Sequence, residues 1–325
     1  MSIGVALDGM IPMSEMTELA RRAEERGVGS LWMAEHMGYR DAASSSMAFL
    51  AATSRITVVP TAVSVYSRHP MISAMTAATL EEAAPGRTIF SVASGNPRAL
   101  GEIGLAVQRP LAVTREYVRS LRALWAGGPV NLKGEVFTLQ DARLHLPPAR
   151  PIPIYVAAMG PRMLELAGEL GDGVVLSAGL SPLYIRHSLA LVAEGARRAG
   201  RDPREVTNAG FVLAAVARDG ASARREAKKM LAYLFRNRFI AENLELTGTR
   251  VDRAAVADAA ARGDWDTAIQ LMPDDAATEY AISGTLDECR AQLDRFRAGG
   301  LDTVVLLAVG DAEARRLAVD LAGAP

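Results

Sequence analysis

The sequence predicts an α/β fold, a (β/α)8 TIM barrel with insertions that occupies residues 1–325 as a single domain. Eight short apolar runs, typical of buried strands, alternate with stretches of helical periodicity. These runs begin near Ile3, Ser30, Ile56, Thr88, Ile152, Val174, Val206 and Thr303. Half of the 325 residues are hydrophobic, which is ample for the core of one large domain.

Two segments exceed the minimal β/α alternation. Residues 127–151 are typical of a hairpin excursion with a Gly-centred turn at Lys133 and Gly134, closed by a Pro-rich return. Residues 219–284 are mostly helical and charged, and they are longer than one barrel helix requires. We expect this second segment to form a lid or a small bundle before the last helix.

The segment 152–179 predicts a βαβ unit with an anion site in its first turn. Gly160 would let the backbone approach a ligand, and Pro161 suits the first helical position because no N–H is needed there. Arg162 adds a cation beside the positive end of the helix dipole, so the turn, which begins at Met159, suits a phosphate. The alternative is ordinary helix capping with a solvated arginine.

Composition and charge exclude several classes of partner. The chain carries 36 basic and 37 acidic residues, mixed along its length, for a net charge of -1. This balance provides no field for nucleic acid or an anionic membrane, and it favours small-molecule partners. Cys289 is the only cysteine, which excludes disulfide frameworks and thiolate metal clusters. No apolar run approaches the ~18 residues of a membrane helix, and a cytoplasmic location is predicted.

In a barrel of this kind the active site forms at the carboxyl ends of the strands, which we term the barrel mouth. Small side chains dominate at four of the first six strand ends in the sequence. They leave room for a flat, bulky ligand, and a ring system is the natural candidate. The residues at these ends are Asp8-Gly9, Ala34-Glu35-His36, 61–64, 93–96, 159–162 and 177–179.

Glu35 and His36 are the only adjacent carboxylate and imidazole in the sequence. A titratable imidazole at a barrel mouth can orient a substrate or move protons near neutral pH. The alternative is structural: His36 would hydrogen-bond a neighbouring loop, and Glu35 would pair with Arg40. His69 precedes Pro70, the expected first residue of a helix, so its predicted role is at the start of that helix. The four scattered histidines and single cysteine do not predict a metal site.

Six stretches of the chain carry a family resemblance, and together they run through nearly its whole length. They are LWMAEH (31–36), SVYSRHP (64–70), GRTIFSVASGNP (86–97), RPLAVTREYVRSLRALWAG (109–127), PIPIYVAAMGPRMLELAGELGDGVVLSAG (151–179) and ISGTLDECRAQLDRFRAGGLD (282–302). These stretches resemble the bacterial luciferase-like superfamily, and within it the methylenetetrahydromethanopterin reductase-like branch that depends on coenzyme F-420 (F420), a deazaflavin. The fold of that family is a (β/α)8 barrel with insertions, in agreement with the prediction above.

The resemblance implies that a flavin or deazaflavin lies across the strand ends. Its central ring would be backed by a bulge with a non-prolyl cis peptide between Ala62 and Val63, and His36 would stand over its reactive face. The predicted cofactor-binding residues are Ala62, Val63, Ser94, Gly95, Asn96, Ala157, Ala158, Met159, Gly160, Pro161, Arg162 and Ser177. His36 and Glu35 are the predicted catalytic residues, Asp8 is the predicted substrate contact, and no metal is expected.

Two positions depart from the family pattern. Glu35 stands where deazaflavin reductases usually carry an aspartate, which changes the reach of the carboxylate by one methylene. Asn96 stands where relatives that oxidise sugar phosphates carry an acidic residue, and an amide cannot exchange a proton near pH 7. A general acid must therefore come from elsewhere, such as His36 or the substrate, and sugar-phosphate oxidation is disfavoured.

The leading hypothesis is an oxidoreductase that transfers hydride between reduced F420 and a small organic substrate with a C=N, C=O or activated C=C group. One alternative is an FMN-dependent monooxygenase that uses reduced flavin and oxygen, because one basic residue cannot separate a phosphate monoester from a phosphodiester. A second alternative is a barrel that binds flavin without turnover. A homodimer or higher homo-oligomer is expected.

Overall fold

The main sheet closes into an eight-stranded parallel barrel in the computed structural model, which describes residues 2–237 and 239–323. The strands of these residues are β1 (Ser2–Asp8), β2 (Ser30–Ala34), β3 (Thr57–Thr61), β4 (Val63–Ser64), β5 (Phe90–Ala93), β6 (Val130–Lys133), β7 (Thr138–Ala142), β8 (Ile154–Ala158), β9 (Gly173–Leu176), β10 (Thr207–Val216), β11 (Ala281–Gly284) and β12 (Thr303–Val309). The main sheet has the order β3-β2-β1-β12-β10-β9-β8-β5-β4. β3 and β4 are two parts of one barrel strand, interrupted at Ala62. The two ends of this order therefore belong to the same strand, and the sheet closes. The predicted (β/α)8 barrel is confirmed, and each predicted strand start lies within two residues of an observed one.

Helices cover the barrel and fill the long segment before the last strand. They are α1 (Met13–Glu25), α2 (Ala42–Ala52), α3 (Pro70–Ala83), α4 (Pro97–Glu102), α5 (Pro110–Trp125), α6 (Pro161–Leu170), α7 (Pro182–Arg198), α8 (Gly220–Leu234), α9 (Ile240–Thr247), α10 (Arg253–Ala261), α11 (Trp265–Gln270), α12 (Ala276–Glu279), α13 (Leu286–Arg297) and α14 (Ala312–Ala322), with a 3-10 turn at Pro203–Glu205. The helices from α3 to α7 each have a proline in the first turn, where no N–H is required. None of the described helices is long and apolar enough to cross a bilayer.

The two segments beyond the minimal alternation have different structures. Within residues 127–151, β6 and β7 form an antiparallel hairpin, and the N–H of Gly134 donates to the carbonyl of Phe137 (2.9 Å) at its turn. Residues 219–284 contain α8 to α12 and end in β11, which the sequence did not predict. β11 pairs in parallel with the end of β10. It has only four residues and follows charged helices, so no periodicity could reveal it.

Aromatic side chains close the amino-terminal part of the barrel interior. The ring of Trp32 lies 6.1 Å from that of Tyr155 and 6.0 Å from that of Phe211, measured between centroids. Gly4 makes room for the indole, since a Cβ at that position would lie 2.7 Å from Trp32 Nε1. The Nε1–H donates to Ser30 Oγ (2.8 Å). Side chains thus fill the amino-terminal part of the interior, and the mouth is the end of the barrel at which a ligand can lie.

Candidate active site

The top layer of the barrel interior consists mostly of small side chains. Side chains alternate along a strand, so the residue two positions after an interior residue faces the same interior, one layer nearer the mouth. The interior cluster includes Ala6, Trp32, Val59, Tyr155 and Val175. The corresponding top-layer residues are Asp8, Ala34, Thr61, Ala157 and Ser177. Apart from Asp8 these five side chains are small, whereas the same rule applied to Ala209 and Val305 gives the larger Phe211 and Leu307.

Glu35 and His36 follow β2 and face opposite sides of the barrel wall. The N–H of Glu35 donates to the carbonyl of Thr61 (2.7 Å), which extends the ladder between β2 and β3 past the strand end. Alternation then turns Glu35 outward and His36 inward, towards the mouth. Burial agrees with this assignment, because His36 is exposed whereas Oε2 of Glu35 is buried. The two predicted catalytic side chains are therefore adjacent in sequence but separated by the wall.

The carboxylate of Glu35 lies behind the wall, near charged groups at the starts of α2 and α3. Burial raises the pKa of Glu35; the charge of Arg68 lowers it, Asp41 raises it further, and the N–H of Ser64 lowers it. Arg68 forms an ion pair with Asp41, which caps α2 by accepting from the N–H of Ser44 (2.7 Å). Oε2 of Glu35 has no hydrogen-bond partner within residues 2–237 and 239–323. A buried carboxylate with an unused acceptor costs stability, which is typical of a functional position.

Arg40 does not pair with Glu35, so that part of the structural alternative is wrong. Its Nη1 donates instead to the carbonyl of Gly9 (2.6 Å), because the loop after β2 crosses the loop after β1 at this point. Asp8, next to Gly9, is half-buried, and its Oδ1 accepts from the N–H of Met10 (2.9 Å). Asp8 thus lies at the mouth and also stabilises its own turn.

The bulge after β3 contains a non-prolyl cis peptide, one residue earlier than predicted. The cis bond joins Thr61 to Ala62, and not Ala62 to Val63. Thr61 is the last residue paired with β2 and Val63 is the first paired with β5. Ala62, at the point where the pairing passes from β2 to β5, is therefore the one residue of this strand left unpaired. Ala62 is half-buried, whereas Val63 is 1% exposed and packs in the main core. Only the backbone of Val63 can therefore meet a ligand at the mouth.

Ser94, Gly95 and Asn96 follow β5 and form part of the rim. Gly95 has a φ of 77°, and a Cβ there would lie 2.8 Å from Ser64 Oγ, so a larger residue does not fit. Asn96 is exposed and caps α4, since its Oδ1 accepts from the N–H of Arg98 (3.0 Å). Ser94 is half-buried. Asn96 therefore has a clear local role that does not involve a ligand.

The turn before α6 presents a helix N-terminus and an unpaired cation. Gly160 is the N-cap residue, and Pro161 occupies the first turn. Arg162 is exposed and forms no ion pair with any residue that the structure describes. Of the two alanines before the turn, Ala157 packs against the interior cluster, whereas Ala158 is 5% exposed and belongs to the main core. Ala158 can therefore offer a ligand only its backbone.

Two residues of the long helical segment contact this turn and were not predicted. The side-chain amide of Asn237 donates to Met159 Sδ (3.3 Å). A Cβ on Gly160 would lie 2.8 Å from Cε1 of Phe239, so the phenyl ring occupies one side of the turn. The absence of a side chain at Gly160 therefore leaves the space that the phenyl ring occupies. No local sequence signal could reveal this contact, because the two residues are far apart in the chain.

A buried amide on α9 holds the loop after β9. Asn243 Oδ1 accepts from both the N–H (3.1 Å) and the hydroxyl (2.8 Å) of Ser181, and its Nδ2 donates to the carbonyl of Gly179 (3.0 Å). Asn243 is 0% exposed. Ser177, which begins this loop, is half-buried in the top layer of the interior. The helical segment therefore positions the strand ends at β8 and β9 together.

Two of the other histidines have structural contacts. His69 Nδ1 accepts from the N–H of Met71 (3.2 Å) and caps α3, as predicted. His187 Nε2 lies 3.2 Å from Glu242 Oε1. Within the two described ranges, no three His, Cys, Asp or Glu side chains are grouped as metal ligands. Cys289 is buried, and burial raises the pKa of its thiol to about 12.

Known proteins resemble this chain over nearly its full length. The 5,10-methylenetetrahydromethanopterin reductase of Methanolobus tindarius is 29% identical over 309 residues, which cover 94% of this chain and 93% of the relative. The F420-dependent glucose-6-phosphate dehydrogenase of Amycolatopsis mediterranei is 28% identical over 319 residues, which cover 93% and 91%. The structure of the coenzyme F420 dependent tetrahydromethanopterin reductase from Methanopyrus kandleri matches with a TM-score of 0.88 at 25% identity, over 98% and 97% of the two chains.

A family model agrees with these relatives. The model described as luciferase-like monooxygenase matches residues 2–303. The predicted resemblance is confirmed, and so is the prediction of an oxidoreductase enzyme, since the relatives belong to that class. The chain belongs to the luciferase-like monooxygenase family.

Proposed function

We propose that the chain is an F420-dependent oxidoreductase that transfers hydride between F420 and a small organic substrate with a C=N, C=O or activated C=C group. The observation that carries the proposal is the turn before α6, where a helix N-terminus and the unpaired guanidinium of Arg162 lie beside a mouth of small side chains. The relatives support F420 as the cofactor, because two of the three are described by their dependence on it.

The residues of the mouth suit this cofactor. A tricyclic ring needs a floor without bulky side chains, and Ala34, Ala157 and Ser177 provide one. A phosphate needs a backbone N–H donor and a cation, and Arg162 supplies both through its own N–H and its guanidinium. When bound, F420 gives or accepts a hydride at C5 of its ring. The chain itself binds the ring and its phosphate, orients the substrate and keeps water from the reacting atoms.

The two predicted catalytic residues take different roles in this proposal. His36 faces the mouth, so it is the side chain that can orient the substrate or move a proton. Glu35 faces away from the mouth and acts as a positioning residue, through the strand end that it shares with His36. Asn96 cannot exchange a proton, and its Oδ1 already caps α4. We therefore do not assign sugar-phosphate oxidation to this chain.

Cofactor titration tests the proposal. The purified chain is mixed with oxidised F420 or with FMN, and binding is followed by absorbance and fluorescence. We expect saturable F420 binding that weakens at least about tenfold in Arg162→Ala, because a charge-assisted contact is worth ~1.5–3 kcal/mol. The control is Arg21→Ala, which removes an exposed arginine on α1 and should leave the affinity unchanged.

Two results would contradict the proposal. Micromolar FMN binding without any response to F420 would exclude F420 as the cofactor, and oxygen consumption with reduced FMN would then support the monooxygenase alternative. Unchanged F420 affinity in Arg162→Ala would show that the phosphate does not lie at the turn before α6.

We also propose a homodimer that buries the outer faces of α2 and α3. These neighbouring helices carry no charged residue in 42–52 or in 70–80, although Ile72 and Met75 are 48% and 50% exposed. An uncharged apolar face fits a second copy of itself, because an isologous contact is self-complementary. Sedimentation velocity should detect dimers that Met75→Glu dissociates and that Leu146→Glu, at another exposed apolar site, does not. A monomeric wild type would overturn this proposal.

A further inference from the structure

A short connection between α8 and α9 lies against the turn before α6. We term residues 235–237 and 239 the covering segment. Its amide at Asn237 donates to Met159 Sδ (3.3 Å), and the ring of Phe239 fills the space beside Gly160. The long helical segment thus contacts the residues proposed to hold the cofactor phosphate, in addition to any role over the substrate.

Hydrogen bonds link the two contacts of the covering segment to each other. Oδ1 of Asn237 accepts from the N–H of Phe239 (3.1 Å), so the amide that contacts Met159 also fixes the backbone that carries the phenyl ring. The carbonyl of Asn237 accepts from the N–H of Ile240 (3.1 Å) at the start of α9. A displacement at position 237 would therefore be passed directly to Phe239.

Arg253, the first residue of α10, holds the covering segment in place. Its Nε donates to the carbonyl of Phe235 (2.9 Å), and its Nη2 donates to the carbonyl of Asn237 (2.7 Å). Carbonyls at the end of α8 lack helical partners and favour a nearby cation. Arg253 forms no ion pair with another residue of the described ranges. Its guanidinium therefore serves the covering segment alone among the contacts that the structure describes.

We propose that Arg253 is a positioning residue for the phosphate-bearing arm of the cofactor. It acts through Asn237 and Phe239, which brace Gly160 and so fix the first turn of α6 and the starting point of Arg162. This inference rests on the proposed F420 site and extends it to the helical segment. Bracing increases affinity because a preformed anion site loses less conformational freedom when the ligand binds.

The bracing role makes a specific statement about which part of the ligand is affected. The covering segment touches the turn that faces the phosphate, whereas the ring would rest on the top layer of the interior. Loss of bracing should therefore weaken the binding of F420 but not that of a deazaflavin riboside that has the same ring and no phosphate. General damage to the barrel would weaken both ligands equally.

Fluorescence titrations with F420 and with this phosphate-free deazaflavin riboside test the inference. Arg253→Ala should weaken F420 binding about tenfold and riboside binding less than about twofold, and Arg253→Lys should recover part of the loss because a cation and a donor remain. Phe239→Ala should give the same pattern as Arg253→Ala. The matched control is Arg250→Ala, an exposed arginine three positions away. One side of Arg253 lines an open cleft of about 830 Å³, so water can fill the space left by alanine.

The outcomes separate this inference from the proposed function. If the wild type binds neither ligand, the proposed F420 site fails. If the wild type binds F420 more tightly than the riboside but Arg253→Ala and Phe239→Ala bind both as the wild type does, the bracing role is overturned. Equal weakening of both ligands would also overturn it, because the effect would then be structural only. Circular dichroism melts of each variant identify that case.

Discussion

Replacing Glu35 by glutamine should stabilise the protein at neutral pH without changing F420 affinity. Burial raises the pKa of Glu35, so ionising this carboxyl in the folded protein costs free energy. Because the pKa of Glu35 is raised in the folded state, the protein has its full stability at a pH below the unfolded-state pKa, near 4.5. It loses part of that stability as the pH rises through the folded-state pKa. Glutamine has the same shape and does not ionise, so the variant should not show this loss.

The expected gain is about 1–2 kcal/mol at pH 8, the excess cost of a buried charge over a neutral amide that lacks the same partner. Oε2 of Glu35 has no hydrogen-bond partner among the described residues, and the charge of Arg68 offsets part of the cost. Urea unfolding of the cofactor-free protein at pH 5 and pH 8 measures the gain, which should grow with pH. F420 affinity should change less than about twofold, because the carboxylate faces away from the mouth.

Asp41→Asn provides a control of opposite sign. Burial opposes ionisation of Asp41, but the N–H and hydroxyl of Ser44 and the charge of Arg68 outweigh it and lower the pKa. The stability that comes from a lowered pKa is present above the unfolded-state pKa of 3.8 and is lost as the pH falls through the folded-state pKa. Asp41→Asn should therefore be less stable than the wild type at pH 8. If Glu35→Gln is also destabilised at pH 8, by 1 kcal/mol or more, Arg68 stabilises the Glu35 carboxylate and the burial argument fails.

Three further substitutions test local interactions of the barrel and its helices. Backbone N–H groups of residues 54–56 outweigh the effect of burial and lower the pKa of Glu24 to about 2. Glu24→Gln should therefore lower the free energy of unfolding by about 1–2 kcal/mol at pH 7. This loss should shrink as the pH falls from 4.5 towards 2, and a loss that does not depend on pH would contradict the argument. Gly95→Ala should lower the melting temperature, because φ is 77° and the new Cβ would lie 2.8 Å from Ser64 Oγ; an unchanged melting curve would refute the clash. Asn243→Leu should cost about 2–4 kcal/mol in urea unfolding, since three buried hydrogen bonds are lost, and a cost below 1 kcal/mol would mean that water replaces them.

The barrel could be predicted from the sequence because each of its units is encoded locally. Apolar runs of strand length, prolines at helix starts and amphipathic helices recur along the chain, and each acts within a few residues. β11 could not be predicted, because its four residues are buried by pairing with β10 and not by a pattern of their own. The cis bond was placed one residue late for a similar reason: which residue is left unpaired depends on where pairing with β2 ends and pairing with β5 begins.

The site was predictable in position but only partly in detail. Strand ends identify the mouth, so the positions of His36, Asp8 and Ser177 at the mouth could be predicted from the topology alone, while their roles stay predictions. The charged neighbours of Glu35 were missed, because only the tertiary structure brings Arg68 near it. Arg40, which is nearer in the sequence, donates instead to the carbonyl of Gly9. Phe239 was missed for the same reason, since only the packing of the helical segment brings it to Gly160.

Strand alternation also gives a physical meaning to the departure of Glu35 from the usual aspartate. Neighbouring residues on extended backbone face opposite sides, and the buried Oε2 of Glu35 and the exposed side chain of His36 fit this alternation. The carboxylate of Glu35 lies behind the wall, where Arg68 and the N–H of Ser64 favour its charged form and burial opposes it. The extra methylene of glutamate carries the carboxylate further from the strand and towards these groups. The Glu35-His36 pair is therefore better understood as one group at the mouth and one charge behind the wall than as an acid and a base that act on the same substrate.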